Sequence, residues 1–335
     1  MLSAVSFVAG IVLDRIVGDP RGKFHPVALL GNFIGLWGRT GRYPIKAERF
    51  LGVLFWLITV AVCLAPGFLI LRLTPWYVGL IFSAVALAFC IGWRSLEEHV
   101  FSVEKALALG DTEGRKAVSY LVSRDTAHLS HEQIRSAAYE SAAENLVDSI
   151  IAPLFWFVIF QLLFGMGILG AILFRAANTM DAMLGYKDER IRLGWFSARA
   201  DDVLAFLPAR VTGIFLLLYF IILGKVSDAW HILMRDRKKR PGFNGGIPMA
   251  LIAGGCGIQF DKPGVYQIGS PERSLEDGGK AIIRAMRWTT VLFALAGTVL
   301  LILGRNAGKS MGRKDGYIVV SGIWTMFSLI GMIPF

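Results

Sequence analysis

Charge is what this chain has little of. Only 18% of its 335 residues are Asp, Glu, Lys or Arg, against 55% hydrophobic. With a mean hydropathy of +0.56, that balance excludes an ordinary soluble domain and predicts a polytopic helical membrane protein. Cysteine is scarce as well. Cys63 and Cys90 lie in apolar runs and Cys256 in a glycine-rich one, so neither a disulfide framework nor a thiolate metal site is expected. There is no internal repeat and no low-complexity tail. No basic residue precedes the first apolar run, and Asp14 and Arg15 follow it at once, which argues against a cleaved signal. The net charge of +10 comes mostly from Lys and Arg between apolar runs. That suits anionic lipid and a cytoplasmic anchor, and it helps attract phosphorylated substrates. No long soluble basic domain exists to hold nucleic acid.

The charge that is present gathers in one stretch. Asn178–Arg210 holds Asp181, Asp188, Glu189, Asp201 and Asp202 together with Lys187, Arg190, Arg192, Arg199 and Arg210. It is wedged between the apolar runs Pro153–Phe174 and Val211–Gly224. Ionised groups beside hydrocarbon are costly. Alternating acids and bases there predict a polar pocket at a membrane face, gripping an anionic substrate and a metal-bound phosphate. A solvated juxtamembrane loop is the competing reading.

Taken in order, Met1–Leu13 is apolar but too short to span alone. In DRIVGDPRGKFHPV, Gly18, Pro20, Gly22 and Pro26 break the helix, so Asp14, Asp19, Lys23 and His25 sit around a turn. Phe50–Leu71, with a kink or end at Pro66–Gly67, and Trp76–Trp93 form a spanning hairpin. Arg94–Asn145 is a polar helical region in which Ser130 and Gln133 make a capping box. Glu140, Glu144 and Asp148 then recur every four residues, with Ser141 and Asn145 beside them. Such a stripe repels itself unless cations or a divalent metal offset it.

Pro153–Phe174 either crosses once or turns back at Gly165–Gly167 as a re-entrant pair. The first arrangement puts the 140–148 face and the 178–210 patch on opposite sides, and the second puts them together. A re-entrant pair also asks for a second incomplete crossing, placed near Pro208. Arg235–Arg240 reads as a cytoplasmic marker. Pro241–Phe260 reads as a glycine-rich loop and short helix, and Asp261–Gly279 as a flexible cap. Trp288–Gly304 and Tyr317–Phe335 are the last apolar helices. Gly304–Ser310 imitates a phosphate-binding loop, but it has three residues between its glycines where four are needed, and no strand precedes it. The expected fold is therefore all-α: one membrane-embedded helical bundle over residues 1–335, multi-pass in the cell membrane, with polar interfacial loops.

DRIVGDPRGKFHPV, LVSRDT, ESAAENLVDSIIAPLFW and NTMDAMLGYKDER with GWFSARADDVLAFLPAR resemble, in this order, the adenosylcobinamide-phosphate synthase family of cobalamin biosynthesis (CobD/CbiB). The resemblance implies an integral membrane ligase. It would join adenosylcobyric acid to an amino-alcohol phosphate such as aminopropanol phosphate, with ATP and Mg2+ or another divalent cation. Where the family usually reads Asn-Ala-Gly-Trp-Pro-Glu, this chain reads Asn244-Gly245-Gly246-Ile247-Pro248-Met249. The aromatic and the acid are missing, so if that acid contacts the amine or metal in relatives, this chain is expected to use another group or a different amine.

Side-chain chemistry then suggests roles within that site. Glu144, Asp148 and Asp181 are candidates to hold a metal and phosphate, with Glu140 behind them. Lys187, Arg190 and Arg199 would bind phosphate or carboxylate. Asp188 or Glu189 would take the proton of the attacking amine. Arg124 and Asp125 would close over the substrate, and Asp14, Asp19, His25, Asn145, Asn178, Asp202, Arg210 and Asn244 complete the candidate binding set. Gly254, Gly255 and Gly257 either let the corrinoid approach or let helices pack. Homo-oligomers or pathway enzymes docked on basic loops are conceivable partners. A corrinoid or small-molecule transporter, or a membrane sensor, is the alternative class, supported by the broken helix at Gly165–Gly167.

Overall fold

The computed structural model describes residues 2–19, 22 and 25–304. The chain is an all-α membrane bundle, and five of its helical stretches are long and apolar enough to cross a bilayer. The predicted helix Tyr317–Phe335 and most of the Gly304–Ser310 turn lie outside the described residues.

Helix α1 (Leu2–Val17) continues beyond the apolar run through Arg15–Val17, and Asp14 and Arg15 at its end find partners inside the protein. His25 caps α2 (Pro26–Trp37): its Nδ1 accepts from Val27 N at 3.2 Å. Helix α3 (Glu48–Leu73) continues through Pro66 without ending. It turns Phe50, Leu57, Phe68 and Leu73 outward, an apolar surface that fits acyl chains and not water. Helices α4 (Trp76–Cys90) and α5 (Trp93–Leu107) follow one another, separated by a break at Ile91–Gly92. After the short α6 (Asp111–Val118), the predicted capping box is present, with Ser130 and Gln133 exchanging hydrogen bonds at the start of α7 (His131–Leu146).

Val147–Ile151 then widens into a π-helical turn, from which α8 (Ala152–Phe164) continues. Gly165 adopts φ +72°, a left-handed conformation that costs glycine little, and stops α8. Helix α9 (Gly167–Leu184) folds straight back along α8. Gly170 makes this possible, since a Cβ there would sit 2.2 Å from Trp156 O. The reversal at Gly165–Gly167 is therefore the outcome that brings residues 140–148 and 178–184 to the same end of the bundle.

Helix α10 (Trp195–Ile222) runs unbroken through Pro208, so the second incomplete crossing expected there is absent. Helices α11 (Val226–Asp236) and α12 (Gly246–Cys256) form an antiparallel pair. Gly254 approaches Asp228 O and Gly255 the Phe220 ring, so these glycines serve helix packing. The segment expected to be a flexible cap is instead an antiparallel hairpin, β1 (Gln259–Lys262) and β2 (Tyr266–Gly269), followed by the start of α13 (Leu275–Leu303). Ser136 Oγ accepts from Asp261 N at 2.7 Å and pins the hairpin to α7. Helix α13 runs alongside α7 and α8 in the same direction, Arg135 meeting Glu276 at 2.9 Å and Gly297 lying against Val158.

Candidate active site at the polar end of the bundle

The π turn is where the site begins. A π turn adds a residue to the helical repeat and releases backbone groups from the regular ladder. Here it carries Asp148 and Ser149, and Ser149 O accepts from Gly92 N at 2.9 Å, across the break between α4 and α5. Arg175, one residue beyond the apolar run of α9, reaches the same place. It donates to Cys90 O (Nε, 2.8 Å), Asn178 Oδ1 (Nη1, 3.3 Å) and Ser149 O (Nη2, 3.4 Å). Three acids, Asp19, Asp148 and Asp201, act electrostatically on this one guanidinium.

Asp181 stands one turn beyond Asn178, and Asn178 Nδ2 donates to Asp201 Oδ1 at 3.3 Å. Asp148, Asp181 and Asp201 therefore converge from three helices and repel one another. Neither the Asp148 nor the Asp181 carboxylate accepts a hydrogen bond from any described residue. Gly185 makes room for the Asp181 carboxylate, since a Cβ would lie 1.9 Å from Oδ1. Burial, helped by the neighbouring Asp202, pushes the Asp181 carboxyl up to about 6.

Asp181 opens onto a cleft of about 630 Å³ lined also by Lys187, Arg199, Asp202, Arg240 and Phe243. Arg199 pairs with Asp202 at 3.7 Å, and Glu144 forms a close ion pair with Arg240. On the far side of Arg175 lies a second cavity of about 420 Å³, bordered by Asp19, His25, Gly92 and Ser149. Within it His25 Nε2 meets Asp19 at 2.5 Å. Asp14 belongs nearby, accepting from Arg94 N at 3.1 Å, with its other oxygen buried and without a partner among the described residues.

Several candidates have partners away from this convergence. Glu140 is buried, accepting from Tyr266 Oη at 2.8 Å and Arg124 Nη2 at 3.4 Å, and so locks the β-hairpin onto α7. Asn145 bonds back to Ser141 O at 2.9 Å. Asn244 bridges Asp202 O (2.9 Å) and Arg210 Nη1 (3.0 Å), holding the α11–α12 loop against α10. Asp125 is exposed and accepts from Ala127 N. Asp188 and Glu189 are exposed on the loop after α9. Asp188 is gripped by Arg190 at 2.9 and 3.1 Å, which holds its carboxyl near 2, so it is a poor proton acceptor. That pairing also occupies Arg190.

The structure adds residues that the sequence reading left out of the site. Arg175 lies just past the apolar run Pro153–Phe174 and has no role in the sequence reading, although a lone Arg abutting a long apolar run is itself a signal. The Arg235–Arg240 run is not simply a topological marker. Arg235 and Lys239 enclose the fully buried Asp236 at 2.8 and 2.7 Å, and Arg240 enters the cleft.

A sequence model of the CobD/Cbib protein family matches residues 7–307. The chain belongs to the CobD/Cbib family. It is 36% identical to a probable cobalamin biosynthesis protein CobD of Methanothermobacter thermautotrophicus, over 90% of this chain and 99% of the relative. The corresponding protein of Thermococcus kodakarensis is 37% identical, over 90% of this chain and 97% of the relative. Cobalamin biosynthesis protein CobD of Pelobacter propionicus is 36% identical, over 85% and 91%. No solved structure matches. This CobD/Cbib protein thus has a role in the cobalamin pathway, carried by a multi-pass membrane bundle.

Proposed function

We propose that this protein is a membrane ligase of cobalamin biosynthesis. It would form the amide between adenosylcobyric acid and an amino-alcohol phosphate at the expense of ATP, giving adenosylcobinamide phosphate. The observation that carries this reading is the convergence of Asp148, Asp181 and Asp201 beside a cleft that also presents Lys187 and Arg199. Structural acids are normally paired; these are crowded and only partly neutralised, and Asp181 among them opens to the cleft.

A carboxylate does not acylate an amine without activation. In the proposed reaction a carboxylate oxygen of adenosylcobyric acid attacks the γ-phosphorus of ATP, and ADP leaves. The neutral amine then attacks the acyl carbon, phosphate leaves, and the amine's proton passes to Asp181. Its carboxyl, near 6, is far better matched to that task than Asp188. Lys187 and Arg199 offset phosphate charge, Arg in its forked geometry.

The oxygen donors suit Mg2+, which commonly takes one or two carboxylates and completes its shell with phosphate and water. Among the described residues no three His, Cys, Asp or Glu side chains enclose an ion by themselves, the set Glu144, Asp148 and Asp181 included. Asp148 and Asp201 would hold it, and the metal would neutralise charge on the transferring phosphoryl group. Glu144 is engaged by Arg240.

Purified protein in detergent, given adenosylcobyric acid, phosphoethanolamine, ATP and Mg2+, should yield the amide by mass spectrometry together with ADP. Unchanged corrinoid alongside corrinoid uptake into proteoliposomes would favour transport and sink the ligase reading.

A further inference from the structure

Arg240 is held in an unusual manner. It sits in the loop between α11 and α12, yet its guanidinium is turned inward, against Glu144 on α7 and its own Pro241 O. The loop backbone closes over it. Gly242 has φ +104°, and a Cβ there would lie 2.8 Å from Arg240 Nη1. At Gly245 a Cβ would lie 2.7 Å from Arg240 Nε. The two glycines form a slot for the side chain. Arg240 therefore bonds one carboxylate and one carbonyl, leaving N–H groups to spare on a residue that lines the same cleft as Asp181, Lys187 and Asp202.

We propose that Arg240 is the group that recognises the phosphate of the amine substrate, exchanging Glu144 for it on binding. The cleft sets a guanidinium near carboxylates, the complement of a short molecule with an ammonium at one end and a phosphate at the other. When Arg240 turns to the phosphate, the Glu144 carboxylate is released, and the ammonium lies toward Asp181 and Asp202. Specificity for the phosphorylated amino alcohol over the bare one then arises from a single forked contact, and the Gly242–Gly245 slot keeps that fork in place. This assignment rests on the proposed reaction for the identity of the amine phosphate, but its test does not depend on turnover.

The test is isothermal titration of the full-length protein in detergent and EDTA with phosphoethanolamine, ethanolamine and ATP in separate runs. Arg240→Ala should weaken phosphoethanolamine by about tenfold or more and leave ethanolamine and ATP unchanged. Arg240→Lys should recover part of the loss, because charge returns without the fork. Glu144→Gln should bind phosphoethanolamine more tightly than the wild type, since a competitor for Arg240 is gone; a merely structural Glu144–Arg240 bridge predicts no tightening. Gly245→Ala should mimic Arg240→Ala with the melting temperature kept. Unchanged phosphoethanolamine affinity in Arg240→Ala, or a loss confined to ATP, overturns the proposal. Arg240-dependent binding by a wild type that makes no amide would instead leave the proposal standing and remove the ligase reading.

Discussion

Glu97 and Asp148 are both carboxylates held within the helical bundle, and they are treated in opposite ways. Glu97 accepts from Trp93 Nε1 at 2.9 Å and from Arg287 at 2.9 and 2.6 Å, and Arg15 stands 3.3 Å away, stacked over the Trp93 ring. One acid has two cations and an indole donor. Asp148 sits among Glu144, Asp181 and Asp201, with Arg175 and Arg240 as the cations acting on it, and its carboxylate accepts no hydrogen bond from the described residues. The first cluster ties α1, α5 and α13 together. The second keeps acceptors unused beside a cavity, which is costly in a fold and useful in a site.

That difference can be broken most forcefully from the site side. Asp181→Asn should lower the rate of amide formation by about a hundredfold or more, the usual scale for a proton acceptor in the transition state. Its melting temperature should hold or rise, because a mutually repelling acid is removed. A fall in melting temperature matching the loss of activity would show Asp181 to be structural.

Glu97→Ala should do the reverse. Removing the acid leaves Arg287 and Arg15 without their partner, at a cost of about 3 kcal/mol read by denaturant or thermal melting. Amide formation per folded molecule should stay at the wild-type level. Gly185→Ala should fall between the two. The added Cβ collides with the Asp181 carboxylate, so activity should drop by about tenfold with little change in melting, as expected for a group displaced but not deleted.

The smallest effect is expected at Asp236, a compensated acid outside the spans. Arg235, Lys239 and Gly269 N oppose its burial and hold its carboxyl down at about 2, against 3.8 when free. A depressed carboxyl stabilises the fold while ionised. The stability advantage of wild type over Asp236→Asn should therefore be full above about pH 4 and shrink as pH falls toward 2. An advantage independent of pH would mean that packing, and not charge, holds this corner.

Much of this contrast was legible in the residues because it follows from local rules. The reversal at Gly165–Gly167 is signalled by glycines that end one helix and let the next approach, and the capping box by Ser130 and Gln133. The candidate site was placed in the sequence by its acids next to hydrocarbon. What was not legible depended on contacts distant in sequence. Pro208 reads as a break, yet α10 carries it within a single helix. Asp261–Gly279 reads as a loose cap because its polar groups find partners only on α7, at Gln133, Ser136 and Glu140. A run of six basic and acidic residues at 235–240 looks uniform, while the folded chain sends Arg235 and Lys239 to Asp236 and Arg240 to Glu144. Charge density can be counted along a chain; the pairing of each charge is a property of the fold.

The central claim is that Asp148, from the π turn, and Asp181, from the returning helix, act as one catalytic unit. A double-mutant cycle in the amide-forming assay, using Asp148→Asn, Asp181→Asn and both together, tests it directly. One shared unit predicts that the double variant loses no more activity than the worse single variant. Losses that multiply would mean that the two acids serve separate sites, and would contradict the account.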